Sequence, residues 1–328
     1  MPNAPRSDLD ILLTRRRLLL GLGVGAAAGL LGCRGGAQAA GPLVRGVTAR
    51  GVLSLYAGMP TTDGAGVRLL RVIGQPALST LDPFVLLDRI HSDEPGAYIR
   101  GFPDHPHRGF ETVTVMLDGR MRHHDSKGNG GLISGGGAQW MTAGRGIVHS
   151  EMPEQTAGLL SGFQLWINLP AREKMRAQEY QDIQRDRIPA VGLTGGGAAN
   201  VIVGRALDAE GPVAHRTTEP LLMTLMLEDD RLVEIPTPRE HTAFVFVHTG
   251  EAVLQTGSND ARIPAGTLAV LTPGEVIRLR ADTQRTGVLL AAAKPIGEPI
   301  ARRGPFVMNT EAELDQAWAD YRAGTLVL

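Results

Sequence analysis

From Val44 onward the chain alternates short apolar runs with breaks at Gly, Pro and Asp, the rhythm of short strands joined by tight turns. Val67–Ile73 and Phe84–Asp88 read as strands. Thr112–Leu117 alternates apolar with polar and stops at Asp118-Gly119, a strong hairpin signal. Gln139–His149 reads as strand, tight turn, strand, and Gly162–Leu169 closes this half as a core strand. The charged stretch Arg172–Ile188 breaks the rhythm, so residues 172–197 are expected to link two halves. A second β-rich region runs from about Ala198 to Ala293, where Thr242–Gly250 repeats the run-then-turn shape of Thr112–Gly119 and Thr267–Glu275 follows as a later hairpin. Two similar units in tandem predict an all-β chain of two antiparallel barrels, over residues 44–171 and 198–328. The tail Glu311–Arg322 changes to a helical period, with Leu314, Trp318 and Tyr321 on one face, and predicts a terminal helix packed against a barrel.

At 328 residues the chain is long enough for two domains. Its 33 Lys and Arg balance 34 Asp and Glu, and no basic stripe is interleaved with aromatics, so nucleic-acid binding has no electrostatic support. Residues 1–39 read as a targeting segment outside the fold. Thr14-Arg15-Arg16-Arg17-Leu18-Leu19 resembles a twin-arginine signal, followed by an uncharged stretch from Leu18 to Gly32. As a helix that stretch rises about 22 Å, short of the roughly 30 Å of a bilayer core, so a signal segment is expected rather than a permanent span. Leu30-Leu31-Gly32-Cys33 resembles a lipobox that would lipidate Cys33, whereas Ala37-Gln38-Ala39 resembles an ordinary cleavage site. Export to the periplasm is the expectation, with membrane attachment only through the signal or a lipid on Cys33. Because Cys33 is the single cysteine, the mature domains can contain no internal disulfide.

Candidate chemistry concentrates in His105-Pro106-His107-Arg108-Gly109-Phe110-Glu111 and in His149-Ser150-Glu151. Side chains two apart on a strand point to one face. Two such pairs on facing strands would bring together three imidazoles and a carboxylate, a donor set suited to iron, manganese, nickel or copper rather than to a structural zinc. Spacing leaves two carboxylates, Glu111 and Glu151, competing for the fourth position. His123 and His124 are adjacent and cannot enter one site together, so both are expected in a solvated hairpin. His241 and His248 lack a partner pair, and a metal-free second barrel is expected. Trp140 and Trp166 read as core aromatics, Arg108 and Arg145 as turn anchors.

His-Pro-His followed by Glu111 and by a later His149 resembles the paired motifs of cupins, which are small antiparallel barrels. Phe102–Val113 and Gln139–Met152 further resemble the pirin family, as do Leu81-Asp82-Pro83-Phe84, Leu165–Leu169 and Gly304–Thr310. The resemblance covers essentially the whole chain beyond the targeting segment. It implies a bicupin with one iron in the N-terminal barrel, held by His105, His107, His149 and Glu151, and leaves Glu111 without a metal. One local departure is Ser134-Gly135-Gly136-Gly137-Ala138, where pirins usually carry a Pro-Gly-Asp turn. Some members oxidise the flavonol quercetin with dioxygen, which implies a dioxygenase acting on a small phenolic substrate, with Glu151 as general base. Eukaryotic members act as iron-dependent transcription cofactors, so a non-enzymatic metal-binding or redox-sensing role is the alternative.

Overall fold

The structure, a computed structural model, describes residues 46–213, 216–256, 260–282 and 285–327. The twin-arginine motif, Cys33 and both cleavage motifs lie outside those residues. As expected, the described residues are all-β with one C-terminal α-helix, and their sheets form two barrels of matching construction. Each barrel sets a seven-stranded antiparallel sheet against a four-stranded one. In the first barrel the large sheet runs in the order Glu179–Ile183, Ala138–Thr142, Phe110–Asp118, Leu160–Asn168, Phe84–Ser92, Val67–Ile73, Met59–Asp63. Its smaller partner runs Phe102–His107, Ile147–Pro153, Arg120–Asp125, Gly130–Ser134, so both histidine-bearing motifs lie side by side in one sheet.

Alternation along each strand decides what each sheet face does. In the first large sheet Val113, Val115, Phe163, Leu165 and Ile167 turn toward the second barrel and form one buried cluster with its Phe244, Phe246, Leu268 and Leu289. Phe84 meets Phe244 edge-on at 5.0 Å between ring centroids, and Phe163 meets Phe246 at 6.0 Å, geometries that aromatic quadrupoles favour. The alternate residues face the barrel interiors. In the second barrel these are aliphatic, among them Ala243, Val245, Val247, Val288 and Leu290. In the first they include Thr114 and Gln164, polar groups that an interior keeps only when they have partners.

The expected connector carries strands of its own. Glu179–Ile183 pairs with Ala138–Thr142 as the outer strand of the first large sheet, and Ala190–Gly192 pairs with Gly197–Val203 in the second. Their apolar residues are too few to show a period, because an edge strand packs on one side only. In the opposite direction, Val52–Ala57 leaves the first barrel and pairs with Thr267–Leu271. Lys174, buried within the connector, donates from Nζ to Gly109 O at 2.8 Å, Asn168 Oδ1 at 2.6 Å and Val307 O at 3.0 Å. One ammonium thereby ties the turn after the His-Pro-His strand to the last core strand and to the C-terminal hairpin.

The terminal helix spans Glu311–Arg322 and begins with a capping box in which Thr310 and Glu313 satisfy each other's backbone N–H groups. Leu314 and Ala317 are its buried residues, packed on Phe306, Met308 and Leu326, with Val148 of the first barrel beside them. Trp318 joins this cluster, but Tyr321 is 37% exposed; the buried stripe runs through Ala317 instead. Arg108 pairs with Asp320 at 2.6 Å and donates to Arg145 O, so it anchors both a turn and the helix.

Truncating Phe244 to Ala opens a cavity in the cluster joining the barrels and should cost about 3–5 kcal/mol of stability, read from urea unfolding; a loss under about 1 kcal/mol would contradict this packing. His248 projects at the same junction, 5.5 Å from Phe163, and burial, reinforced by Arg89 and His91, lowers its pKa to about 3. The unfolded chain therefore binds the extra proton between pH 6.5 and 3, and stability should fall as pH falls through that window. Thermal melts in chloride buffers should show a shallower acid slope for His248→Gln, and an unchanged slope would refute the assignment.

Candidate metal centre

Antiparallel pairing sets His149 opposite His105, with Ile147 opposite His107. Period-two geometry then points His105 and His107 to the same side as His149. Their ring centroids lie 4.4–5.0 Å apart, and one nitrogen from each lies within 4.8 Å of the others. His107 and His149 are 2% and 1% exposed, whereas His105 is half-buried and opens to the adjoining cavity.

Each Nδ1 already has a partner. His105 Nδ1 bonds Pro103 O at 2.8 Å, and His107 Nδ1 bonds Pro305 O at 3.2 Å. A carbonyl can only accept, so both rings carry their proton on Nδ1 and keep a lone pair on Nε2. His149 Nδ1 lies 3.2 Å from the Tyr180 hydroxyl, which can take either role. His149 Nε2 is buried and has no hydrogen-bond partner. Such an orphaned nitrogen is costly unless something binds it, and a cation accepting three Nε2 lone pairs would do so. Burial, followed by repulsion from neighbouring imidazoles, holds His107 and His149 well below the usual histidine pKa. Neutral imidazole is the form that binds metals. The residues present therefore fit a borderline divalent ion.

Glu151 faces the same side as His149, yet it stands apart from the three-imidazole group. The register slips between them: His149 lies opposite His105, but Glu151 lies opposite Phe102, so the His-Pro-His strand carries an extra residue there. The Glu151 oxygens accept from Thr114 Oγ1 at 2.8 Å and Gln164 Nε2 at 2.7 Å. Glu151, His105 and His107 line a cavity of about 450 Å³, walled also by Leu86, Phe102 and Trp166. Glu111 points through the opposite sheet face. It accepts from Thr142 Oγ1 at 2.6 Å and lies 3.4 Å from the Arg216 guanidinium at the barrel junction. Burial raises the Glu111 pKa, with Arg216 opposing. Of the two carboxylates that spacing left open, Glu151 turns inward to the cavity and Glu111 turns outward to Arg216.

Other expectations change. His123 is buried rather than solvated, stacked on Tyr180 at 5.2 Å and bonded to Asp182 Oδ2 at 2.9 Å, while His124 on the opposite face is exposed. The strand holding Tyr180 and Asp182 covers His123, and that strand was concealed in the charged connector. Trp166 is half-buried and walls the cavity 5.1 Å from the His107 ring, although Trp140 is a core residue as expected. Tyr180, Thr114, Gln164 and the Pro305 carbonyl escaped sequence reasoning. Only Gly304–Thr310 signalled any of them, and its hairpin reaches the site because Gly109, at φ +90, leaves room for Val307: a Cβ there would stand 2.0 Å from Val307 O.

Tandem barrels, one carrying three convergent imidazoles beside a carboxylate and the other an aliphatic interior, define a bicupin with an N-terminal metal-binding site. The chain belongs to the pirin family. The family model described as Pirin matches residues 66–167, and that described as Pirin C-terminal cupin domain matches residues 222–327. A pirin-like protein of Caulobacter vibrioides is 46% identical over 276 residues, covering 84% of this chain and 98% of its own. A Pseudomonas aeruginosa protein provisionally named quercetin 2,3-dioxygenase is 45% identical over 283 residues, covering 85% and 99%. Among solved structures, quercetin 2,3-dioxygenase from Acinetobacter baumannii superposes with a TM-score of 0.78 at 34% identity, covering 85% of this chain and 99% of that one.

Removing the Tyr180 hydroxyl frees the His149 ring without touching a nitrogen donor. Tyr180→Phe should weaken divalent-metal affinity about 10–100-fold in a chelator competition assay, whereas His149→Ala should abolish stoichiometric binding. Wild-type affinity in Tyr180→Phe would show that the hydroxyl does not orient the ring.

Proposed function

We propose that this pirin is a metal-dependent dioxygenase of flavonol-like or other phenolic compounds, with iron held by His105, His107, His149 and Glu151; manganese, nickel or copper would suit the same donors. The observation that carries the proposal is the convergence of three imidazoles, two of which line a cavity with Glu151 and with aromatic and aliphatic walls. The names of the two quercetin 2,3-dioxygenase relatives support the same reaction class.

When bound, the ion supplies Lewis-acid and dioxygen chemistry that side chains lack. The remaining work belongs to the chain. Phe102, Trp166, Leu86 and Ile90 offer flat apolar surface to fused aromatic rings, in a cavity of a size usual for small-molecule sites. Glu151 takes the proton of a substrate hydroxyl, since it lines the cavity with His105 and His107 and bonds only neutral groups, whereas Asp88, the other buried carboxylate there, is paired with Arg71. Gln164 and Thr114 fix the carboxylate through both oxygens and prevent its rotation out of reach. Neutral His107 and His149 keep the site from repelling the ion. On the twin-arginine-like motif at residues 14–19, we place this activity outside the cytoplasm, with the ion acquired before export of the folded protein.

Anaerobic mixing of metal-loaded protein with quercetin, followed by oxygen, should give metal-dependent loss of the flavonol absorption band. Glu151→Gln should slow that loss by about 10²-fold or more. Absence of turnover with iron, manganese, nickel and copper would overturn the proposal.

A further inference from the structure

A second crevice, of about 370 Å³, opens between the barrels away from the metal centre, lined by Arg89, His91 and Ser92 from the first barrel and Phe246 and His248 from the second. Its chemistry is dominated by Arg89. That residue is 6% exposed, yet it forms no ion pair with a carboxylate among the described residues. Its guanidinium instead donates to neutral groups: Ile90 O at 2.6 Å and Ser161 Oγ at 2.9 Å, with Gly162 O at 3.3 Å and His91 Nδ1 at 3.2 Å. Its cationic carbon lies 4.9 Å from the Phe163 ring centroid. Carbonyl dipoles and a ring face only partly offset a buried guanidinium charge. Two further imidazoles border the same space, His91 and His248, and burial, with Arg89 adding to it, lowers the pKa of His248. Of the nearby acids, Glu94 at the rim is already paired with Arg68, and Asp93 acts on His91 rather than on Arg89.

We propose that this crevice is an anion-binding site, taking a phosphate-type oxyanion, free or as a monoester, on Arg89 with His91 and His248. A guanidinium is suited to such a ligand because its N–H fork matches paired oxyanion oxygens. The anion would draw donors from both barrels, so binding joins them beside Phe246, which lines the crevice and packs on Phe163 at 6.0 Å. This site is independent of the metal chemistry proposed above.

The test is calorimetric titration of the metal-loaded protein with inorganic phosphate at constant ionic strength in chloride, with glycerol 3-phosphate as a second titrant. Saturable binding at one site per chain is expected. It should weaken at least tenfold in Arg89→Lys, which keeps the charge but not the fork, and in His248→Gln; it should persist in His149→Ala, which removes the metal site. Tighter binding of the ester would identify a phosphorylated metabolite as the ligand, and tighter binding of phosphate the free ion, either one supporting the site. If Arg89→Lys fails to fold, His248→Gln and His91→Gln decide. No saturable binding to the wild type, affinity unchanged in the crevice variants, or loss of binding in His149→Ala would each overturn the proposal.

Discussion

Gathering three imidazoles and a buried carboxylate in one barrel obliges the chain to find a partner for each Nδ1 and for both carboxylate oxygens. Much of the architecture around the site follows from that constraint. The Pro103 carbonyl comes from the same strand as His105, but the Pro305 carbonyl comes from a hairpin 198 residues beyond His107. Tyr180 comes from the connector strand, and Thr114 and Gln164 from the large sheet opposite. Elements that look peripheral in chain order are thus what fixes the ligand geometry. Lys174, Gly109 and Arg108 hold those elements in place, through the ammonium, the absent side chain and the Asp320 pair respectively.

The two barrels share a construction and differ in what fills them. Both turn apolar residues of the large sheet outward to the common cluster around Phe84, Phe163, Phe244 and Phe246. Inward, the second barrel carries Val, Leu and Ala and closes on itself, a filling that adds stability. The first carries histidine, glutamate, threonine and glutamine there, groups that cost free energy to bury and retain a cavity. One barrel therefore braces the other through a wide apolar face, and the metal-binding barrel borrows that support while keeping its own interior polar.

The strands, the duplicated barrels and the terminal helix were legible because each rests on local periodicity. The pairs His105/His107 and His149/Glu151 were legible for the same reason: a period of two puts both members on one face. Glu151 was legible only in its direction, since a one-residue bulge in the partner strand moves it off the imidazole group, and bulges leave no mark in spacing. Tyr180 was hidden because its strand has a single apolar side and reads as charged linker. The Pro305 carbonyl was signalled only by the Gly304–Thr310 motif around it, because a backbone acceptor has no residue type to betray it. Glu111 looked competitive by residue type, but its parity on the strand points it to Arg216.

Three imidazoles, oriented through their Nδ1 atoms, are placed to hold one ion. X-ray absorption at the metal edge of the iron-loaded protein tests this most directly. Three imidazole scatterers in the wild type, falling to two or to no bound metal in His149→Ala, are what the geometry predicts. Fewer than three imidazoles in the wild type, or a spectrum unchanged by His149→Ala, would contradict it.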